Sequence, residues 1–229
     1  MNEVKWLGHA ACLITSQQGT TILIDPWITD NPSCSVKKED IGKVDIILVS
    51  HDHFDHIGTD IPYFVEKYGS TIVVQPELVG SFEKFSDNIA VYGMGMNIGG
   101  TIEVKGIKIT MTQAFHSSVA ASGCGYIVTL EDGKTIYHAG DTGIFASMEI
   151  LGEIYNIDLA LVPIGSVFVM DPVQAAYSLR LLQPKAAIPI HYATFPVLVQ
   201  DTSEFLQLAK EKAPQTEVID LKPGESFSL

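Results

Sequence analysis

The sequence predicts an α/β (α+β) protein in which two mixed β-sheets lie face to face with helices on the outside. Three observations carry this. Short unbroken apolar runs, Asp45–Val49 among them, read as buried strands. Strand and helix patterns alternate along the chain, and the second half repeats the style of the first. Polar, histidine-bearing segments directly follow several of the apolar runs, as they do where strand ends share one edge of a sheet.

The elements follow in order. Val4–Leu7, Ala11–Thr15 and Thr21–Asp25 are short strands, the last two joined by the polar turn Gln17-Gln18-Gly19-Thr20. The segment from Pro26 to Lys43, rich in Pro, Asn and Ser, is a loop long enough to flank a site. After the strand Asp45–Val49, Thr59–Tyr68 reads as a helix with Pro62 in its first turn, where the missing N–H does no harm. Thr71–Val74 is a strand and Pro76–Phe85 a helix. Strands are expected at Ile89–Tyr92, Thr101–Val104 and Ile107–Thr112, the last pair turning at Lys105-Gly106. Tyr126–Leu130 and Thr135–Tyr137 form a hairpin about Glu131-Asp132-Gly133. Helix Phe145–Tyr155, strand Leu159–Pro163, helix Pro172–Leu182 and strand Ala186–Ile190 follow. Helix Thr202–Lys212, capped by Asp201 or Thr202, and strand Glu217–Leu221 close the series.

Composition bounds the function. A chain of 229 residues fits one domain over 1–229, or two pseudo-repeated halves sharing a core; a split near residue 110 is the lesser alternative. At this size folding removes roughly 70 % of the surface of the unfolded chain. The formal charge is −13, with 27 acids against 14 bases and Arg180 as the single arginine, which argues against nucleic-acid binding. No apolar run approaches the ~20 residues of a membrane span. The start, Met1-Asn2-Glu3-Val4-Lys5-Trp6, lacks the basic region of a secretory signal. Cys12, Cys34 and Cys124 make neither a disulfide framework nor a C-x-x-C site, so a cytoplasmic setting is expected. Whether the chain forms a homo-oligomer stays open.

Four segments carry chemistry: Ser50-His51-Asp52-His53-Phe54-Asp55-His56, Phe115-His116-Ser117, Gly140-Asp141-Thr142 and Ile190-His191-Tyr192. They hold five of the seven histidines together with Asp55 and Asp141. Imidazole and carboxylate in such numbers suit zinc, manganese or iron. Loops this dense in polar groups seldom serve packing alone.

The His-x-His-x-Asp-His motif, with Gly140-Asp141-Thr142 and His191, resembles the metallo-β-lactamase superfamily. Further segments narrow the likeness: Trp6-Leu7-Gly8-His9-Ala10-Ala11, Leu23-Ile24-Asp25-Pro26, Ala114-Phe115-His116-Ser117-Ser118, Pro163-Ile164-Gly165 and Pro189-Ile190-His191-Tyr192. They are similar to a branch of metal-dependent hydrolases related to L-ascorbate-6-phosphate lactonase and, more distantly, to the phospholipase D acting on N-acyl-phosphatidylethanolamines. The resemblance implies a four-layer αββα sandwich with two divalent metal ions at one edge. His51, His53 and His116 would hold one ion, Asp55, His56 and His191 the other, and Asp141 would bridge them. It implies Lewis-acid hydrolysis of a small-molecule ester, lactone or phosphodiester by a metal-bound hydroxide, with Asp55 or Asp141 orienting the nucleophile. A metal-binding sensor or interaction module without turnover, and an iron-dependent redox enzyme of the same fold, are the other readings.

Beside that set, His9 is open to several roles: substrate binding, general acid, metal ligand, or a hydrogen-bonded histidine holding a loop. Asp25 is expected behind a ligating histidine, fixing its tautomer. Asp52 is expected to face solvent or cap a turn. His138 has no place in a two-metal set and is expected to lie satisfied beneath the site. Ser166, Phe168 and Met170 are expected to wall the substrate pocket, with Phe168 and Met170 equally open to being ordinary core residues, in a stretch where related proteins often read Gly-Gly-Asn-Phe-Thr-Met-Gly-Pro and this chain reads Gly165-Ser166-Val167-Phe168-Val169-Met170-Asp171-Pro172. Lys37 and Lys38 are the nearest basic candidates for an anionic substrate.

Overall fold

The computed structural model describes residues 1–229. Strands β1 (Glu3–Gly8), β2 (Ala11–Thr15) and β3 (Thr21–Ile24) run antiparallel; β4 (Ile46–Leu48) and β5 (Thr71–Val73) add in parallel. The second sheet repeats this scheme. Strands β6 (Thr101–Val104), β7 (Ile107–Gln113), β8 (Cys124–Thr129) and β9 (Thr135–His138) are antiparallel, and β10 (Leu159–Pro163), β11 (Ala186–Ile190) and β12 (Glu217–Val218) follow in parallel. The last strand, β13 (Ser226–Ser228), returns to pair with β1, giving sheets of six and seven strands.

Three apolar clusters separate four layers. Between the sheets lie Ile46 and Leu48 of β4 with Leu159, Leu161, Ile188 and Ile190 of β10 and β11. On the outer face of the first sheet, Leu23, Ile47 and Ile72 meet Ile61, Phe64 and Val65 of α3 (Ile61–Tyr68). On the outer face of the second, Ala160, Val162 and Ala187 meet Met148 of α4 (Met148–Ile154), Ala175 and Leu179 of α5 (Pro172–Leu182), and Phe205 and Ala209 of α6 (Ser203–Lys212). Successive residues of β4 and β10 thus alternate between an inner and an outer core. That is why these strands are apolar at every position. The αββα sandwich expected from the resemblance is the fold observed.

The helix ends carry their own signals. The Asp171 carboxylate accepts from the Gln174 N–H at 2.7 Å and caps α5, with Pro172 following in the first turn. The Asp201 carboxylate accepts from Ser203 N–H ahead of α6. Elsewhere the structure departs from expectation. Pro76–Asn88 is a kinked 3₁₀ segment in which Phe82 and Phe85 leave helical values. Ile89–Tyr92 makes a single bridge to Ile72 and then turns, because Val91 and Tyr92 take positive φ. Two short helices, α1 (Lys38–Ile41) and α2 (Phe54–Ile57), and the polar edge strand β13 were not anticipated.

The repeat extends to a pair of aspartates. Asp45, just before β4, accepts from the Thr21 N–H and pairs with Lys43 and Lys105. Asp158, just before β10, accepts from the Thr135 N–H and pairs with Lys134 and Lys185. Burial pushes both carboxyls up, but the lysine and amide donors outweigh it and hold both below the ordinary carboxylate range. A depressed folded-state pKa stabilises above the unfolded value of about 3.9, and that stability is lost as the pH falls through the folded value. Urea midpoints are therefore expected to drop as the pH falls below about 4. Asp45→Ala and Asp158→Ala each leave a strand amide without its acceptor, cost about 1–3 kcal/mol at neutral pH and flatten the acid dependence. Unchanged midpoints in both variants would contradict this.

Candidate metal centre

The strands that feed the site end in tight left-handed turns. His9 (φ 54°) follows β1, Asp25 (φ 48°) follows β3, Gly140 (φ 62°) lies just beyond β9, and His191 (φ 58°) follows β11. Asp and His tolerate this region better than most residues. At Gly140 a β-carbon would also run into the carbonyl oxygen of Cys124. These turns bring both sheets together: the His191 N–H donates to the His9 carbonyl at 2.9 Å, and the Cys124 N–H donates to the Ser50 carbonyl at 3.1 Å. The His116 loop is tied in by the Phe115 N–H, which donates to Thr142 Oγ1 at 2.9 Å.

Eight side chains converge there. His53 Nδ1 lies 2.9 Å from His51 Nε2 and 3.3 Å from His116 Nε2. Asp141 Oδ2 lies 3.1 Å from His56 Nε2, 3.1 Å from His191 Nε2 and 3.6 Å from His116 Nε2. Three groupings have ligand atoms close enough to share one ion: His51, His53 and His116; His51, His56 and Asp141; and His9, Asp55, His56 and His191. Asp141 stands between the first and last of these.

Behind these side chains runs a hydrogen-bond relay. Fully buried Asp25 accepts from the Ser50 N–H through Oδ1, and from Ser50 Oγ–H (2.7 Å) and His56 Nδ1–H (2.8 Å) through Oδ2. With its proton committed to Asp25, Ser50 Oγ accepts from His51 Nδ1–H at 3.0 Å. Asp25 and Ser50 together therefore turn the Nε2 atoms of both His51 and His56 toward the centre. Asp25, expected behind a histidine, lies against His56. The sequence offered no separate signal for Ser50, a serine that could as well have ended the strand.

Charge and burial act differently on each group. Burial and the neighbouring His56 push His51 down to about 3, so its Nε2 presents a bare lone pair. Burial also lowers His116, against the pull of Asp141. His56 is buried too, yet the carboxylates of Asp141 and Asp25 raise it well above the ordinary histidine value. Burial pushes Asp141 up, but the His191 and His56 imidazoles hold it well below the usual range. The buried atoms His56 Nε2, Asp141 Oδ1 and His191 Nδ1 have no hydrogen-bond partner. Acceptors packed this closely with orphaned polar atoms among them fit divalent cations. The 2.9 and 3.3 Å separations are near the ~3.3 Å expected between nitrogens that each lie about 2.0–2.1 Å from one tetrahedral zinc.

His9 is fully buried and is not among the residues lining the cavity above the centre. Its Nε2–H donates to Asp55 Oδ2 at 3.2 Å, while Nδ1 lies 2.9 Å from Thr194 Oγ1, itself bonded by Ser33 Oγ–H. Burial pushes His9 down to about 4, against its bond to Asp55. The His9 ring thus links Asp55 to Thr194. His138 is satisfied beneath the site, with Nε2–H donating to the Ala10 carbonyl and Nδ1 accepting from the Gly140 N–H. Asp52 neither faces solvent alone nor caps its own turn: it accepts from Ser118 Oγ and from the Val119 and Ala120 N–H groups, pinning the loop after His116.

The cavity holds about 430 Å³ and is lined by His53, Phe54, Asp55, His116, Ser117, Asp141, Phe168, His191 and Phe195. Of the expected wall, Phe168 is there. Ser166 is not among the lining residues, and Met170 is fully buried against the helices of the outer core, so neither forms the wall. Asp171 is spent as a helix cap, and Lys38 is bonded to buried Asp60 at 3.1 Å. Phe54 and Phe195 were overlooked; an aromatic residue inside a ligand motif, and another four residues after His191, were the available signals.

Residues 20–192 match the family described as the β-lactamase superfamily domain. A UPF0173 metal-dependent hydrolase of Nitratidesulfovibrio vulgaris is 44 % identical over 230 residues, covering 99 % of this chain and 95 % of that protein. One from Caldivirga maquilingensis is 43 % identical over 231 residues, covering 100 % and 99 %. The solved structure of Igni18, a metallo hydrolase from Ignicoccus hospitalis, superposes with a TM-score of 0.89 at 35 % identity, with both chains covered in full. The chain thus belongs to the β-lactamase superfamily and, within it, to the UPF0173 metal-dependent hydrolases.

Proposed function

We propose that this protein hydrolyses a small ester, lactone or phosphodiester with the help of two divalent metal ions. The observation that carries the reading is the convergence of two His/Asp groupings on Asp141 at the floor of an open cavity. His51, His53 and His116 would hold one ion and Asp55, His56 and His191 the other, with Asp141 between them. Zinc and manganese suit this donor set best, and iron is compatible with it. Ions held there supply Lewis-acid polarisation and a water of lowered pKa.

The protein's own groups do the rest. Asp55 and Asp141 line the cavity and stay ionised, so either can accept a proton from, and orient, the attacking water. His9, through its bond to one Asp55 oxygen, holds that carboxylate in place. Asp25 and Ser50 keep His51 and His56 in the tautomers that ligation needs. No helix is long and apolar enough to cross a membrane, and the three free cysteines fit a reducing compartment such as the cytoplasm.

Two outcomes are expected. The purified protein should carry about two ions per chain and turn over esters or phosphodiesters only when loaded. In His116→Ala and Asp141→Ala, kcat/KM should fall by about 10³-fold or more, the loss of several kcal/mol of transition-state stabilisation, with the fold retained by circular dichroism. Full turnover by metal-free Asp141→Ala would refute the proposal. In Ser50→Ala, metal affinity from a competitive chelator titration should weaken by about 10–100-fold. Wild-type affinity in that variant would show that the Asp25–Ser50 relay does not orient the ligands.

A further inference from the structure

Above the metal centre the cavity is aromatic rather than charged. Phe54 comes from the start of α2, Phe168 from the loop after β10 and Phe195 from the loop after β11. Phe54 and Phe168 are 67 % and 56 % exposed, so neither is a core residue. On one side, Trp27 packs against both Phe54 and Phe195 at ring-centroid distances of 5.6 and 6.0 Å, making a stiff wall. On the other, the chain reaches Phe168 through two successive left-handed residues, Ser166 (φ 63°) and Val167 (φ 56°). A β-branched residue in that region is a true outlier, and such strain survives only where the surroundings enforce it. Here they do: the Ser166 N–H donates to the Met170 carbonyl, the Met170 N–H to the Thr142 carbonyl, and the Val199 N–H to the Gly165 carbonyl. The strained turn holds a phenylalanine at the mouth of the site.

No lysine or arginine lines this cavity, and the chain carries a formal charge of −13. An anionic substituent would leave water for phenyl faces with no cationic side chain to receive it. An apolar substituent would cover rings that now face solvent. We propose that the site takes uncharged carboxylic esters or lactones carrying an aromatic or branched apolar group, seated in the collar of Phe54, Phe168 and Phe195. The inference rests on the hydrolase reading. In the reaction, the oxygen of water bonds to the acyl carbon, the acyl carbon–oxygen bond to the alcohol breaks, and the departing oxygen takes a proton. An ester gives one alcohol and one carboxylate, and a lactone a single hydroxycarboxylate, in each case with release of one proton.

The test is a matched series of 4-nitrophenyl esters with the metal-loaded protein. Hexanoate should exceed acetate in kcat/KM by at least about tenfold, and the hemisuccinate, which replaces the butanoate methyl by a carboxylate, should fall at least about tenfold below butanoate. Phe168→Ala and Phe54→Ala should shrink the hexanoate-to-acetate ratio to within about threefold, while Phe168→Leu should keep most of it. A flat chain-length series, or a hemisuccinate as good as butanoate, overturns the collar and leaves the hydrolase reading standing. Calorimetry with the neutral ketone 4-phenylbutan-2-one separates the reverse case. If no ester turns over but the ketone binds and Phe168→Ala weakens it at least about fivefold, the hydrolase reading fails and the collar stands; a ketone that does not bind overturns the collar.

Discussion

Asp141, largely buried at the floor of the cavity, brings one carboxylate oxygen within 3.6 Å of three imidazole nitrogens, and the rest of the site depends on how that crowd is satisfied. A buried carboxylate needs a positive partner, and buried imidazole lone pairs repel one another. The hydrogen bond from His56 Nδ1 to Asp25 and the closeness of His56 to Asp141 meet part of the need, and divalent cations would meet the rest. Everything around the centre keeps its donors from escaping that competition. Asp25 and Ser50 hold the far sides of His56 and His51, Thr194 and His9 hold Asp55, and Asp52 holds the loop that carries His116.

The architecture supplies the convergence. Both sheets use the same order, an antiparallel meander followed by parallel strands, so each delivers its strand ends to the same rim. Equivalent positions then diverge in task. Asp25 follows β3 and bonds to His56 from behind, whereas Asp141, beyond β9 in the repeated half, stands among the imidazoles. The two sheets are laced at this rim by the His191–His9 and Cys124–Ser50 backbone bonds, so a ligand from either half is held against the other. Strain is concentrated here too, in left-handed non-glycine residues at His9, Asp25, Ser166, Val167 and His191.

Much of this could be read from the residues alone. Strands buried on both faces betray themselves by unbroken apolar runs, as at β10 and β11. The ligand-type residues stood out because imidazoles clustered after such strands have few structural uses. What escaped was set by tertiary context. Strand β13 is Ser226-Phe227-Ser228 and owes its existence to the free edge of β1 rather than to any pattern of its own. Val91 and Tyr92 look like strand residues, yet the chain must turn there. Met170 looked like a wall residue, but the strained turn at Ser166 and Val167 sends Phe168 outward and leaves Met170 facing the helices. Nor could spacing distinguish His9 as a reactive group from His9 as a support; only its bonds to Asp55 and Thr194 do so.

The central claim is that Asp141 separates two cation positions, one among His51, His53 and His116 and one among Asp55, His56 and His191. Anomalous X-ray scattering from crystals of the metal-loaded protein tests it most directly. The account predicts two peaks per chain, about 3.5–4 Å apart, flanking the Asp141 carboxylate. A single peak, or peaks remote from Asp141, would contradict it.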